Sequence, residues 1–358
     1  NVCVFLEISS LSTYAIISMG KDRRALLASY NYLIMGTIGA TFILIGIGFM
    51  YVMTGTLNMN DLALRLPAVA DTNAIRAAFA FITIGIAIKA AMLPLHQWLA
   101  NAYTYSPSVV STFLAATATK VALYVMIRFQ LTVFGIEFSL LDMPYDTILM
   151  IIGTFGIIGG SVYAIYQTNV KRMLAYSSIA QLGYILVAIG LASQPGFTAA
   201  LLHIFNHALI KGSLFMALGI IFFRFASTEL SSMSGIGKTM PFTMAAFTIA
   251  GLSLIGIPGT AGFVSKWYLI TALLDASFWP LALLILLASV LTLIYVGKVL
   301  EVAYFRAAPQ GVEKQKIPAT MMISLWVFSL SNIYFGLDTD LSMSISNLAV
   351  NQLMGVTP

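Results

Sequence analysis

Glu7, Lys89, Lys120, Lys211 and Lys266 each stand deep inside a long apolar stretch. A charge near the centre of a bilayer costs about 2.5–3.5 kcal/mol on insertion scales. Without a charge-handling task a chain has little reason to carry that load. Long lysines can snorkel to the headgroups from within a turn or two of a helix end. Lys89, Lys120 and Lys211 lie about 13 or 14 residues into their spans, too deep for that. Lys266 is nearer the end of its span but follows a helix break at Pro258 by eight residues, which returns it toward mid-depth. The chemistry such residues suit is the movement of protons or small cations.

Glu7 is the one acid deep in an apolar span, and a buried carboxylate must protonate or find a cation. Lys89 is its expected partner. If a proton neutralises either member, the other charge is left unpaired and its field on neighbouring sites changes. A static pair tying two helices together is the plainer alternative. His203, His207 and Lys211 are spaced i, i+4 and i+8, so they share one helix face. Asn206 and Ser213 lie nearby. Imidazole titrates near neutral pH and can pass protons along a wet chain. Zinc is disfavoured because no acid lies in that span. Packing histidines remain the plain alternative. His96, just after Pro94, fits a cap or interfacial role as well as proton entry.

The elements that hold these residues are membrane spans. Of 358 residues, 59% are hydrophobic and 9% are charged, against about 25% charged in average soluble domains. The apolar residues come in blocks of roughly 20, enough to cross ~30 Å of hydrocarbon. The fold class is therefore all-α and polytopic, with ten spans at approximately 1–19, 27–55, 75–99, 107–130, 145–168, 172–193, 197–224, 240–273, 278–304 and 317–336. Residues 58–71 and an amphipathic stretch at 339–354 look interfacial. This divides the chain into a conducting transmembrane domain, 1–337, and a C-terminal tail, 338–358.

Single-residue signals exclude other classes. Cys3, the only cysteine, rules out a disulfide framework or cysteine metal site and reads as a plain buried residue. Basic residues are dispersed, which argues against nucleic acid. The Gly156–Gly160 run suits close helix packing. No Walker loop, dinucleotide fingerprint, haem spacing or iron–sulfur spacing is visible, so neither cofactor nor metal is expected.

Loop charge alternates. The side reached after the first span receives Lys21, Arg23, Arg24, Lys171, Arg172, Arg224, Lys238, Lys298, Arg306, Lys314 and Lys316; the other receives Arg65, Arg76 and Arg128. The positive-inside rule places the first side in the cytoplasm. Two spans look broken. The third contains Pro94, and proline removes a helix hydrogen bond. The eighth contains Gly256-Ile257-Pro258-Gly259-Thr260 and, at about 50 Å if continuous, is too long for one straight crossing. Broken helices build transporter ion sites. The two broken spans run in opposite directions, as an inverted repeat would require.

With these motifs the chain resembles the antiporter-like membrane subunits. That family includes the D and A subunits of Mrp-type monovalent cation/proton antiporters, the three large proton-pumping subunits of respiratory complex I, and related subunits of membrane-bound hydrogenases. The matching stretches are Phe5-Leu6-Glu7, Ile88 through Leu99, Ala118-Thr119-Lys120-Val121, Lys171 through Ile179, His203 through Lys211, and Gly256 through Lys266. The resemblance implies that Glu7 is the essential membrane glutamate and Lys89 its partner on a broken helix. It implies that Lys120 and Lys211 form a central relay beside His203 and His207, and that Lys266 is the terminal ionisable residue on the second broken helix. The family fold has fourteen core helices in two inverted five-helix repeats plus flanking helices. The chain begins at Asn1 inside an apolar stretch, without a signal peptide's charged start. It would then start at the fifth core helix, N-terminally truncated and lacking the first four.

The leading functional expectation is a proton-translocating subunit, in a bacterial inner or plasma membrane, of a multi-subunit sodium or potassium/proton antiporter of the Mrp D type. The contexts around Lys120 and Gly262-Phe263-Val264-Ser265-Lys266-Trp267 favour that type. The alternatives are a proton-pumping subunit of an NADH-quinone oxidoreductase or hydrogenase, and a structural membrane scaffold. Expected partners are other integral membrane subunits, protons with Na+ or K+, and the lipid bilayer.

Overall fold

The computed structural model describes residues 1–20, 22–307 and 317–355. Lys21, Lys314 and Lys316, and residues 356–358 of the tail, lie outside the described residues. The helices are α1 (Val2–Ser18), α2 (Arg23–Thr54), α3 (Met59–Arg65), α4 (Asn73–Lys89), α5 (Gln97–Tyr105), α6 (Ser108–Val133) and α7 (Tyr145–Ile165). They continue with α8 (Val170–Gly190), α9 (Gln194–Phe225), α10 (Pro241–Ile255), α11 (Ala261–Asp275), α12 (Trp279–Phe305), α13 (Ala319–Leu337) and α14 (Asp340–Leu353). Among the described residues there is no strand, only one isolated bridge between Asn169 and Glu229.

Seven helices are long and apolar enough to cross a membrane: α2, α6, α7, α8, α9, α12 and α13. The other three expected spans are the shorter apolar helix α1 and the two broken pairs, α4 with α5 and α10 with α11. The chain is a polytopic helical membrane protein. α12 shows why composition pointed there. Leu283, Leu286, Leu287, Val290, Leu293 and Ile294 are exposed along its outer face. Such a continuous apolar surface would be costly in water and is neutral against lipid tails.

α8 is the central helix: nearly every residue in it is buried. It pairs with α7 along small residues. A Cβ on Gly183 would meet the Gly153 carbonyl oxygen at 2.4 Å, so only glycine allows the two backbones this approach. The glycine-rich run of α7 therefore packs helices, as its composition suggested; Gly160 lies as close to Ala180.

Both expected breaks are present. α4 ends at Lys89, and the chain passes through Pro94 and restarts at Gln97. A helix end leaves carbonyls without intrahelical donors; Trp98 Nε1 donates to the Ile88 carbonyl at 2.9 Å and satisfies one. α10 ends at Ile255. Gly256 (φ 91°) and Gly259 (φ 83°) on either side of Pro258 adopt left-handed backbone, which side chains with a Cβ rarely tolerate. The Gly262 amide, at the start of α11, donates to Ser253 Oγ at 3.1 Å, tying the halves together.

Three features differ from the sequence-based expectations. α6 contains two stretches of wider π-helical winding, Leu114–Ala118 and Phe129–Val133. Lys171 and Lys298 are not loop cations: both lie within helices, α8 and α12, and Lys171 is 4% exposed. Cys3 is half-buried rather than fully buried. The expected interfacial segments are helical. α3 covers part of 58–71, and α14 packs on α9 through Gln194 Nε2 to Asn351 Oδ1 (2.8 Å) and Thr198 Oγ1 to Asn347 Oδ1 (3.0 Å).

Candidate functional site

The expected pairing of Glu7 with Lys89 is present. Lys89 Nζ lies 2.6 Å from Glu7 Oε1 and donates to Ser10 Oγ at 2.9 Å. Ser10 stands about one turn from Glu7 on α1, so one face of α1 offers both acceptors to the last residue of α4. The lysine is 8% exposed and the glutamate 25%. Among the described residues this is the one ion pair with both members shielded; the other three join exposed side chains. Lys89 sits in the last turn of α4 before the break, where the negative end of the helix dipole also favours a cation.

A cavity of about 530 Å³ borders the pair. Ser9, Ser10, Thr13, Tyr32 and Lys89 line one side, and Thr117 and Ala118 of α6 line another. The cavity thus runs from the ion pair to the π-helical turn that precedes Lys120. Lys120 Nζ donates to the Ala115 carbonyl inside that turn. Single π turns recur at functional sites, because the extra residue frees a backbone group for other partners.

Lys211 is fully buried on α9 and donates to the Leu174 carbonyl at 2.8 Å and to Ser177 Oγ, both on α8. His207 and His203 follow on the same face, with ring centroids 5.9 Å apart and planes 10° apart. The i, i+4 reading of that face holds. His203 Nδ1 lies 2.8 Å from Ser265 Oγ, and Nε2 lies 3.1 Å from Gln181 Oε1. With the amide oxygen accepting, Nε2 carries the proton and Nδ1 accepts from the serine. His207 is 0% exposed, and neither ring nitrogen has a partner among the described residues. A buried polar group normally finds one.

Lys266 closes the series. It lies on α11, one residue after Ser265, and its Nζ donates to the carbonyls of Leu254 (3.0 Å) and Ile255 (2.8 Å) and to Ser289 Oγ (3.2 Å). The lysine caps the broken end of α10. Its Nζ is also 5.1 Å from the Tyr184 ring centroid, a cation–π distance.

The structure therefore brings Glu7 together with Lys89, joins Lys211, His207 and His203 on one face, and seats His203 against Ser265 of α11, the helix that also carries Lys266. Among the described residues Lys120 makes no hydrogen bond to another helix, and it is not among the residues lining the cavity beside Lys89. Pro94 and Pro258 stand in the two breaks. His96 precedes α5 without a side-chain capping bond. Sequence reasoning missed Gln181, Ser177 and Ser289, which supply acceptors to His203, Lys211 and Lys266. It also missed Lys171, whose buried Nζ donates to the Ser106 carbonyl at 3.1 Å. Its place beside Arg172 in a basic pair at a helix start made it look like a loop charge. Among the described residues no group of three or more His, Cys, Asp and Glu side chains is placed to hold a metal.

Comparison with known proteins places this geometry. The chain is 41% identical over 350 residues to the N subunit of the NADH-quinone oxidoreductase of Desulforudis audaxviator, covering 94% of this chain and 69% of that one. It is 29% identical to the D-type subunit of the Na(+)/H(+) antiporter of Alkalihalophilus pseudofirmus, covering 85% and 61%. Its fold matches a chain of the Mrp complex from Dietzia sp. DQ12-45-1b with a TM-score of 0.90 at 26% identity, over 99% of this chain and 74% of that one. Residues 1–292 match the family of NADH:quinone oxidoreductase/Mrp antiporter transmembrane proteins. The chain, with its two broken helices and its series of buried lysines, belongs to that family.

Proposed function

We propose that the chain is the proton-translocating membrane subunit of a multi-subunit complex, and that Glu7, Lys89, Lys120, His207, His203, Lys211 and Lys266 carry the protons. The observation that carries this reading is the shielded Glu7–Lys89 pair at 2.6 Å standing at the head of three further buried lysines. Those three make no salt bridge among the described residues; backbone and hydroxyl oxygens, with the Tyr184 ring at Lys266, support them. A proton arriving at one site repels the next, and a series of such groups advances charge stepwise. Opening the Glu7–Lys89 pair removes the glutamate's counter-field and leaves Lys89 unpaired beside the cavity that reaches the π-helical turn before Lys120. Residues 1–337 are the conducting domain in this reading, and the tail braces α9 through α14.

A redox-driven quinone oxidoreductase, with this chain as its N-type subunit, is the assembly the sequence favours, on the 41% identity. The antiporter reading of the D kind rests on 29% identity and on the contexts around Lys120 and Lys266. The TM-score does not weigh between them, because the fold is common to the family. In either assembly the partners are other integral membrane subunits. Purification of the tagged protein from native membranes tests the choice. Co-purifying quinone oxidoreductase subunits support the first reading, and small antiporter subunits with Na+- or K+-dependent proton flux support the second. A scaffold role is tested by Glu7→Ala and Lys89→Ala: full flux in both, with assembly intact, would remove proton translocation from the account.

A further inference from the structure

Two buried aromatic side chains of α5 hold backbone carbonyls on the helices either side of it. Trp98, at the start of α5, donates through Nε1 to the carbonyl of Ile88, the residue before Lys89, at 2.9 Å. Tyr103, near its end, donates through its hydroxyl to the carbonyl of Leu114, the residue before Ala115, at 3.0 Å. Ala115 supplies the carbonyl to which Lys120 Nζ donates, and Leu114 and Ala115 begin the first π-helical stretch of α6. One nine-residue helix therefore grips the backbone beside both lysines. A buried indole or phenol needs a partner for its polar atom, and both partners here belong to the elements that carry the lysines. Packing holds both rings. Trp98 meets Tyr32 of α2 edge-on at 4.9 Å, and Tyr103 meets Phe215 of α9 edge-on at 5.8 Å. The end of α5 is pinned as well. Ser111 Oγ donates to the Tyr103 carbonyl at 2.8 Å, and Lys171 Nζ of α8 donates to the Ser106 carbonyl at 3.1 Å. Ile88, Lys89, Trp98 and Leu114 all border the cavity beside the ion pair, so α5 stands along its wall.

We propose that α5 is a strut between the Glu7–Lys89 pair and Lys120, and that Trp98 and Tyr103 are its positioning residues. This rests on the proton-translocating reading above. The strut itself moves no proton. It fixes where the end of α4 stands relative to the π-helical turn of α6, and so where Lys89 stands relative to Lys120. Coupling between separated sites is carried by rigid elements and the hydrogen bonds that join them. A helix of this length spans about 13 Å, and it is bonded at both ends. When the Glu7–Lys89 pair opens, the last turn of α4 is released from α1. Trp98 passes that shift into α5, and Tyr103 passes it to the Leu114 carbonyl, next to the one Lys120 holds.

The test uses the whole complex in proteoliposomes with proton flux as the readout. Tyr103→Phe keeps the ring on Phe215 and removes only the hydroxyl. Trp98→Phe removes the Nε1 donor. Each is expected to slow flux about three- to tenfold, the equivalent of roughly one hydrogen bond. Both act on one link, so the double variant is expected to be no slower than the slower single variant. Glu7→Asp shortens the acid and strains the same link from the ion-pair end. Combined with Tyr103→Phe it is expected to lose far less than the product of the two separate factors, whereas independent structural losses would multiply. Ser111→Ala, which frees the Tyr103 carbonyl, is expected to match Tyr103→Phe and serves if an aromatic variant does not assemble. Wild-type flux in Ser111→Ala and in the assembled aromatic variants, or losses that multiply in the double variants, would overturn the strut. Lys120→Ala separates this from the larger claim: full flux there defeats the translocation reading itself, whereas lost flux there with full flux in Tyr103→Phe and Ser111→Ala defeats only the strut.

Discussion

Lys266 Nζ donates to the carbonyls of Leu254 and Ile255 at 2.8–3.0 Å, across the break between α10 and α11. The same side chain that ends the proposed proton series holds the irregular backbone together. Irregular backbone at membrane depth survives only where its polar groups are satisfied by protein or water, so site and fold share one residue. Lys266→Met should therefore lose flux and also destabilise the break. Lys266→Arg keeps donors and charge but cannot release a proton, so assembly is expected to survive while flux falls at least about tenfold. Thermal stability measured beside flux checks the split.

The Glu7–Lys89 pair makes a coupled expectation. Removing one partner of a shielded pair leaves an uncompensated charge, at a cost of about 3–5 kcal/mol for a fully buried pair. With Glu7 25% exposed, Glu7→Gln is expected to cost less, about 1–3 kcal/mol. Glu7→Gln combined with Lys89→Gln should be more stable than either single variant, because no lone charge remains. A thermal-unfolding double-mutant cycle measures this; additive losses would mean the pair is not coupled.

His203 and His207 should behave differently. His203 has partners on two helices, Ser265 and Gln181, while His207 has none among the described residues. His203→Phe is expected to lower stability by about 1–3 kcal/mol, since it leaves buried partners unpaired. His207→Phe should leave stability nearly unchanged and still reduce flux. Equal stability losses in both would contradict the assigned contacts.

Gly262→Ala tests the joint itself. A Cβ at this position would lie 1.8 Å from the Ser253 carbonyl oxygen. Overpacking of this kind costs about 1–3 kcal/mol, and here it would also displace the amide bonded to Ser253 Oγ. Reduced assembly, seen by native electrophoresis, is the expected outcome.

The legible part of the fold was whatever leaves a local mark. Apolar blocks of bilayer length gave the spans, and Pro94 and the glycines around Pro258 gave the breaks. The i, i+4, i+8 spacing of His203, His207 and Lys211 placed them on one face, and the isolation of Glu7 made Lys89 its natural partner. The π turns of α6 carry no such mark: Leu114–Ala118 contains neither glycine nor proline. Ser177, Gln181 and Ser289 are ordinary residues in apolar helices, and they meet Lys211, His203 and Lys266 only because α8, α9, α11 and α12 converge. Lys171 misled because charge beside a helix start is usually solvated, whereas here the side chain turns inward to Ser106.

The most direct measurement of the central claim is proton translocation by the assembled complex carrying Lys211→Ala. Lys211 is fully buried, bonded only to Leu174 and Ser177 of α8, and on the same helix face as both histidines. Translocation is expected to vanish while the complex still assembles. Wild-type translocation by an assembled Lys211→Ala complex would contradict the account.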